Sequence, residues 1–174
     1  NTFLFADGHD VGASLCEEDM TDMVLEVCAL AAQSGCEIIL PLDVRVAMEF
    51  KAGADHRDVG LNDVQPDEMI LDAGPKTIAH LGEIFGQAAT ILWNGPLGAF
   101  EIPPFNEATD RAANMAAQRT QTGHLVSVAG GGDTVAALAA TNADRKFTYV
   151  STAGGAFLEW LEGKTLPGIS ILYS

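Results

Sequence analysis

The most informative stretch of this sequence is Leu125-Val126-Ser127-Val128-Ala129-Gly130-Gly131-Gly132-Asp133-Thr134-Val135-Ala136-Ala137-Leu138. Apolar and small residues typical of a buried strand run into three glycines, an acid, a hydroxyl residue and a run of helix formers. Glycine lets a backbone approach a ligand closely, and the helix that follows directs its first free N–H groups and its positive dipole end towards the loop. The pattern therefore predicts a strand, a loop and a helix that can bind a phosphate. It fits equally well a tight turn in which Asp133 or Thr134 caps the helix.

Two further short apolar segments are also followed by loops that contain glycine. Residues 90–93 lead into the loop 94–101, and residues 147–151 lead into the loop 152–155. The carboxyl ends of parallel strands share one edge of a sheet, and open α/β folds bind their ligands at that edge. Three such loops predict an extended phosphorylated ligand such as a nucleotide.

Short apolar strands alternate with amphipathic helices along the rest of the chain. Helices are predicted over 17–34, from Pro75, and over 105–123; strands over 37–41, 44–50 and 69–74; and a surface excursion over 51–68. The alternation predicts an α/β fold with a three-layer (αβα), Rossmann-like parallel sheet in one domain over 1–174. The periodicity of the first long helix places Cys28 in the core. Since the chain opens without Met on an apolar run, we expect a sheet incomplete at the N-terminus, with an exposed edge and apolar surface.

The charge balance limits the classes of partner. Lys and Arg number 9 against 24 Asp and Glu, a net charge of -15. Nucleic acids and anionic membranes demand a basic surface, so neither is expected as a partner. The odd set of three cysteines fits a reducing compartment, and no apolar run approaches the ~18 residues of a membrane span. We therefore expect a cytoplasmic protein whose phosphate site depends on backbone dipoles and bound cations.

Two common nucleotide-binding motifs are excluded by position. Gly163-Lys164-Thr165 resembles the end of a Walker A loop, but Leu158 occupies the position of the required earlier glycine. A dinucleotide fingerprint that starts at Gly130 would need a glycine where Val135 stands.

Several motifs taken together resemble the C-terminal, nucleotide-binding half of phosphoglycerate kinase. They are Trp93-Asn94-Gly95-Pro96-Leu97-Gly98-Ala99-Phe100-Glu101, Gly130-Gly131-Gly132-Asp133-Thr134, Ser151-Thr152-Ala153-Gly154-Gly155-Ala156 and Leu161-Glu162-Gly163-Lys164-Thr165-Leu166-Pro167-Gly168, with Leu40-Pro41-Leu42-Asp43 and Leu71-Asp72-Ala73-Gly74-Pro75 as further members. The resemblance covers essentially the whole chain. It implies phosphoryl transfer between 1,3-bisphosphoglycerate and Mg-ADP, giving 3-phosphoglycerate and Mg-ATP, by a full-length monomer.

The resemblance implies a set of residues for the nucleoside. Glu101 would accept hydrogen bonds from the ribose hydroxyls. The adenine slot would be lined by Leu71, Pro96, Leu97 and Ala99.

It also implies residues for the phosphates and the metal. Asp133 would hold Mg²⁺, Thr134 would help to place the phosphates, and Asn94 would lie along the phosphate path. The transferring phosphoryl group would meet backbone N–H groups of three glycines, Gly130, Gly131 and Gly132. This chemistry depends on positioning and charge neutralisation more than on a base.

The family's phosphoglycerate-binding N-terminal domain, and a lysine-bearing segment that precedes Asn1 in the family, are absent from this sequence, and Ala153 replaces the usual glycine. We therefore expect this chain to supply the ADP/ATP site without being active alone. Ser151 and Thr152 fit helix capping as well as ligand contact, while Asp43 and Asp72 are interpreted as structural acids. The alternative functions are a non-catalytic adenine-nucleotide-binding module and a Rossmann-type oxidoreductase.

Overall fold

The computed structural model describes residues 1–151 and 154–171. These residues form two compact units. The first contains Asn1–His80 and Leu97–Ala108, and the second contains Leu81–Pro96 and the described residues from Thr109 onward.

The first unit is built on a small antiparallel sheet. Its strands β1 (Asp43–Ala47), β2 (His56–Gly60) and β3 (Met69–Ala73) lie in the order β2-β1-β3. Before them come helices α1 (Thr2–Ala6) and α2 (Thr21–Ser34), the latter closed by Gly35 in the left-handed conformation at φ 69°. Helix α3 (Pro75–Gln87) begins directly after β3. The core consists of buried aliphatic side chains, which are Leu4, Val11, Val44, Val46, Val59 and Val64.

The second unit contains the parallel sheet. Strands β4 (Thr90–Asn94), β5 (Val126–Gly130) and β6 (Tyr149–Ser151) lie side by side in chain order. The helices that accompany them are α4 (Glu107–Gln121), whose first two residues belong to the first unit, α5 (Gly132–Ala140), α6 (Gly154–Leu161) and α7 (Pro167–Ser170). This sheet and its helices confirm the predicted α/β, Rossmann-like class.

One face of the parallel sheet carries the core of the second unit. Trp93 and Ala129 are buried there with an alanine row of α4, namely Ala112, Ala113, Ala116 and Ala117. Alternate residues of a strand point to opposite faces, and Leu92 and Tyr149 remain 48% and 57% exposed. The sheet therefore has a well-packed face and an apolar face that stays accessible.

Four sequence predictions differ from the structure. Residues 37–41 form no strand, and the segment 51–68, predicted as a surface excursion, contains β2. The first sheet is antiparallel, because β1 pairs with β2 and β3 in that sense. Cys28, which was predicted to lie in the core, is exposed. The residue that α2 buries is Val24.

Candidate functional site

The carboxyl ends of the three parallel strands meet in register. Asn94 at the end of β4 pairs with Gly130 at the end of β5, and Gly130 pairs with Ser151 at the end of β6. The loops after β4 and β5 therefore start from adjacent points of one edge, as the sequence predicts. Thr152 and Ala153 of the third predicted loop lie outside the described residues.

The first residue after β4 is held through both of its backbone polar groups. The Gly95 N–H donates to Thr134 Oγ1 at 2.7 Å, and the Trp93 indole N–H donates to the Gly95 carbonyl oxygen at 2.6 Å. Thr134 is 1% exposed. Its hydroxyl oxygen thus ties the end of β4 to the first turn of α5.

Gly131 occupies a conformation and a space that suit glycine. It is the N-cap of α5 with φ 103°, a value that L side chains rarely adopt. A Cβ atom there would lie 3.1 Å from Asn94 Oδ1 and 3.3 Å from Thr134 Oγ1. Gly132 differs, because a Cβ on it would meet nothing within 4 Å. The close packing of the loop against Asn94 and Thr134 therefore requires glycine at position 131 but not at position 132.

No side chain of the residues that the structure describes caps the N-terminus of α5. Thr134 accepts a hydrogen bond from Gly95 instead, and Asp133 is exposed without a partner among the residues that the structure describes. The capping interpretation left open by the sequence is thus not the arrangement observed. The first N–H groups of α5 face the strand-end edge with the positive end of the helix dipole behind them.

Asp133 provides an accessible carboxylate in the first turn of this helix. Mg²⁺ is commonly held by one or two carboxylates, several waters and substrate phosphates. No cluster of three or more His, Cys, Asp or Glu side chains forms a metal site within the described part of the chain. A single hard oxygen ligand therefore fits an ion that arrives with a phosphorylated ligand better than a resident ion.

The first unit contains a cavity of about 340 Å³. Leu71 of β3, with Leu97 and Gly98 of the loop after β4, forms part of its wall, and Phe3 and Leu4 of α1 form another part. The lining is mostly apolar, with Asn1 and Asp72 as its polar side chains, and together with the volume it suits a flat ring system that carries a few polar groups.

Three other residues predicted to bind the nucleoside, Pro96, Ala99 and Glu101, do not line this cavity. The Ala99 N–H donates to the Leu71 carbonyl oxygen at 2.8 Å, and Ala99 packs in the cluster around Phe105. Glu101 is exposed, and Pro96 follows Gly95 in the second unit.

Asp72 lies beside this cavity and is 2% exposed. Its carboxylate accepts hydrogen bonds from the Ala108 and Ala73 N–H groups, each at 2.9 Å. Burial raises the pKa of Asp72 to about 7, since these two bonds and the charge of Arg45 only partly offset the loss of water.

Asp43 caps the start of α3 from β1. It accepts the Lys76 N–H at 3.0 Å, the Thr77 N–H at 2.8 Å and the Thr77 hydroxyl at 2.8 Å. This contact agrees with its interpretation as a structural acid. The contact of Asp72 with the 97–101 loop could not be predicted from the sequence, whose only signal was an acid near the end of an apolar strand.

Comparison with known proteins identifies similar chains. The family profile of phosphoglycerate kinase matches residues 1–164. The phosphoglycerate kinases of Dinoroseobacter shibae and Mesorhizobium japonicum are 58% and 60% identical over 172 residues, which is 99% of this chain but 44% and 43% of theirs. The chain thus spans less than half the length of these curated relatives.

Two solved structures show the same similarity in three dimensions. The phosphoglycerate kinase of Coxiella burnetii superposes with a TM-score of 0.92 at 45% identity, over 99% of this chain and 44% of that one. The enzyme of Pyrococcus horikoshii gives a TM-score of 0.76 at 27% identity, over 99% and 42%.

Proposed function

This chain belongs to the phosphoglycerate kinase family, and from that membership we propose that it forms the part of the kinase that binds ADP and ATP. The reaction of the whole protein would be reversible phosphoryl transfer between 1,3-bisphosphoglycerate and Mg-ADP, giving 3-phosphoglycerate and Mg-ATP. The phosphoglycerate would bind to the N-terminal domain of the longer protein. We expect that protein to be a cytoplasmic glycolytic enzyme that acts as a monomer. Among the described helices, none combines the length and the apolarity needed to cross a bilayer.

The observation that carries the proposal is the uncapped N-terminus of α5 beside two strand ends. Its free N–H groups, those of Gly132 and Asp133 among them, favour an anion. Gly131 lets that anion approach the backbone. Phosphoryl transfer needs positioning and charge stabilisation, and an uncapped helix end supplies both to phosphate oxygens.

Asp133 would hold Mg²⁺ from the same turn. When bound, the ion neutralises phosphate charge. Gly130, Gly131 and Gly132 would bring their N–H groups to the transferring phosphoryl group. Asn94 would lie along the phosphate path, and Thr134 would help to place the phosphates by fixing the Gly95 peptide.

Family membership supports the same nucleoside residues that the sequence motifs indicate. Leu71 and Leu97 line the cavity there and would contact the adenine ring. Pro96 and Ala99 would complete the slot, and Glu101, whose side chain is exposed, would accept hydrogen bonds from the ribose hydroxyls.

The proposal is tested by calorimetric titration of the chain with Mg-ADP, metal-free ADP and NADH. Asp133→Ala should weaken Mg-ADP binding about 10- to 100-fold, because a charge-assisted contact contributes about 1.5–3 kcal/mol. Metal-free ADP should change by less than about threefold, since the variant loses no phosphate donor. Equal weakening of both ligands would show that Asp133 is structural.

Asp22→Ala is the matched control. Asp22 is likewise an exposed acid at the second position of a helix, α2. This variant should leave both ADP affinities unchanged. Preferential binding of NADH by the wild-type chain would overturn the kinase proposal. ATP formation from 1,3-bisphosphoglycerate and Mg-ADP by this chain alone would exclude a non-catalytic binding module.

A further inference from the structure

The loop 97–101 touches β3 at two consecutive residues. The Ala99 N–H donates to the Leu71 carbonyl oxygen at 2.8 Å. At Gly98 the approach is closer still, because a Cβ atom would overlap Asp72 Oδ1 and would lie 2.7 Å from the Leu71 carbonyl oxygen. The loop backbone therefore rests directly on the Asp72 carboxylate, without room for a methyl group between them.

The Asp72 carboxylate also binds the start of α4, the helix that follows this loop. Asp72 Oδ2 accepts the Ala108 N–H at 2.9 Å, in the first turn of α4. Asp72 Oδ1 accepts the Ala73 N–H of its own strand at 2.9 Å. The two oxygens thus join β3 to the start of α4, and the loop between Leu97 and α4 is held from both sides.

The neighbouring cation does not compete for this carboxylate. The Arg45 guanidinium donates to Asp58 at 2.8 and 3.1 Å, to Glu107 at 2.6 Å and to the Pro104 carbonyl oxygen at 3.1 Å. Asp72 is therefore bound to backbone N–H groups alone among the residues described. A buried acid held in this way is sensitive to the loss of either acceptor oxygen.

We propose that Asp72 is a positioning residue, whose buried carboxylate holds the 97–101 loop against β3 and thereby sets the shape of a cavity wall that contacts an adenine ring. The contact joins Leu71 to Leu97 and Gly98 in that one wall. This inference rests on the proposed adenine-nucleotide function. Asp72 does not itself need to touch the nucleotide.

Asp72→Asn tests this role, with Asp43→Asn as the matched control. Both replace a buried strand acid that accepts backbone N–H groups of a following helix. The asparagine amide must place an NH₂ group against one of the two donors, so Asp72→Asn should loosen the loop. Asp43→Asn should instead loosen the start of α3.

The first measurement needs no ligand. Hydrogen exchange at pH 8, followed by mass spectrometry on peptides that cover residues 97–101, should be about tenfold faster in Asp72→Asn than in wild type, a change of about 1.4 kcal/mol in opening free energy. Asp43→Asn should leave that segment unchanged and speed exchange at Lys76 and Thr77. Unchanged exchange over 97–101 in Asp72→Asn would overturn the positioning role.

The second measurement separates the two ends of the ligand. Asp72→Asn should weaken adenosine and ADP binding about tenfold, equal to about 1.4 kcal/mol, while inorganic pyrophosphate binds as to wild type. Gly98→Ala disturbs the same contact from the loop side, and it should reproduce this selective loss if Asp72→Asn fails to fold. Equal loss of adenosine and pyrophosphate in both variants would contradict the proposal. A wild-type chain that binds neither ADP nor adenosine would overturn the proposed function, while the exchange experiment would still decide the role of Asp72.

Discussion

Asp72→Asn should change how the stability of the chain depends on pH. The wild-type carboxyl is 2% exposed, and burial raises its pKa from an ordinary 3.8 to about 7. The folded state therefore binds this proton more tightly than the unfolded state does. Stability from this group is fully present below pH 3.8 and is lost as the pH rises towards 7.

The size of the effect follows from the two pKa values. One pKa unit corresponds to about 1.36 kcal/mol, so the interval between 3.8 and about 7 represents about 4 kcal/mol in total. About 2 kcal/mol of it falls between about pH 5.5 and 8.5 by proton linkage. That window avoids the isoelectric point of 4.3, near which the protein is least soluble.

Other acids give the opposite dependence, so the difference between variant and wild type is the useful quantity. Salt bridges lower the pKa of Asp58, paired with Arg45, and of Glu68, paired with Arg57. Their stabilisation is present above the ordinary carboxyl pKa and is lost as the pH falls. Both pairs occur in both proteins, and their contributions cancel in the difference.

Urea unfolding followed by circular dichroism at 222 nm measures that difference. Between pH 5.5 and 8.5, Asp72→Asn should gain about 2 kcal/mol relative to wild type, whatever fixed cost the amide brings. Asp22→Asn removes an exposed acid and controls for net charge. A difference that stays constant across this range, or falls with pH, would refute the claim that burial dominates at Asp72.

Five further substitutions at four positions test individual contacts. Gly131→Ala should cost about 1–3 kcal/mol in urea unfolding, because φ is 103° and the new Cβ would crowd Asn94; Gly132→Ala, which meets no atom within 4 Å, should cost less than about 1 kcal/mol. Thr134→Val should lower stability by about 1–3 kcal/mol, since it leaves the Gly95 N–H without its acceptor. Thr134→Ser should restore most of that loss in the same urea unfolding experiment. Arg45→Met should lower the free energy of unfolding by about 1–3 kcal/mol. This is less than the loss expected for a fully buried ion pair, because both carboxylate partners of Arg45 are partly exposed to water. In 1 M salt the difference between variant and wild type should be smaller.

The second unit could be predicted well because its signals are local. The apolar run of β5, the glycines after it and the helix formers of α5 follow one another within fourteen residues. Parallel strands buried on one face with helices between them need no information beyond such patterns. Pro75 likewise marks the first residue of α3.

The first unit could not be predicted equally well, because its strands are specified by their partners. β2 has the sequence His-Arg-Asp-Val-Gly, with one buried side chain, and it forms a strand because it pairs with the fully buried β1. Asp58 on β2 also binds Arg45 on β1. Residues 37–41 are more apolar than β2, yet they form no strand.

One part of the candidate site could be predicted from the sequence, and another part could not. Glycines in a loop indicate that the backbone comes close to other atoms. The sequence therefore predicts the strand-end edge with Asn94, Gly131 and Thr134. A cavity wall depends on which distant segments meet. Nothing local to Leu71 or to Gly98 indicates that they share one, and the role of Asp72 is visible only in three dimensions.

The helix starts explain why these acids have different roles. Asp43 accepts two of the first N–H groups of α3, and Asp72 accepts one of the first N–H groups of α4, so a carboxylate already caps each of these helix ends. At α5 no side chain in the described part of the chain does so. The start of α2 is uncapped as well, but neither a glycine nor a strand end precedes it. An uncapped helix end indicates a phosphate site in this chain only where strand ends and a glycine such as Gly131 also bring the backbone within reach. Introducing a capping side chain at α5 should therefore abolish phosphate binding there, whereas a cap at α2 should affect stability alone.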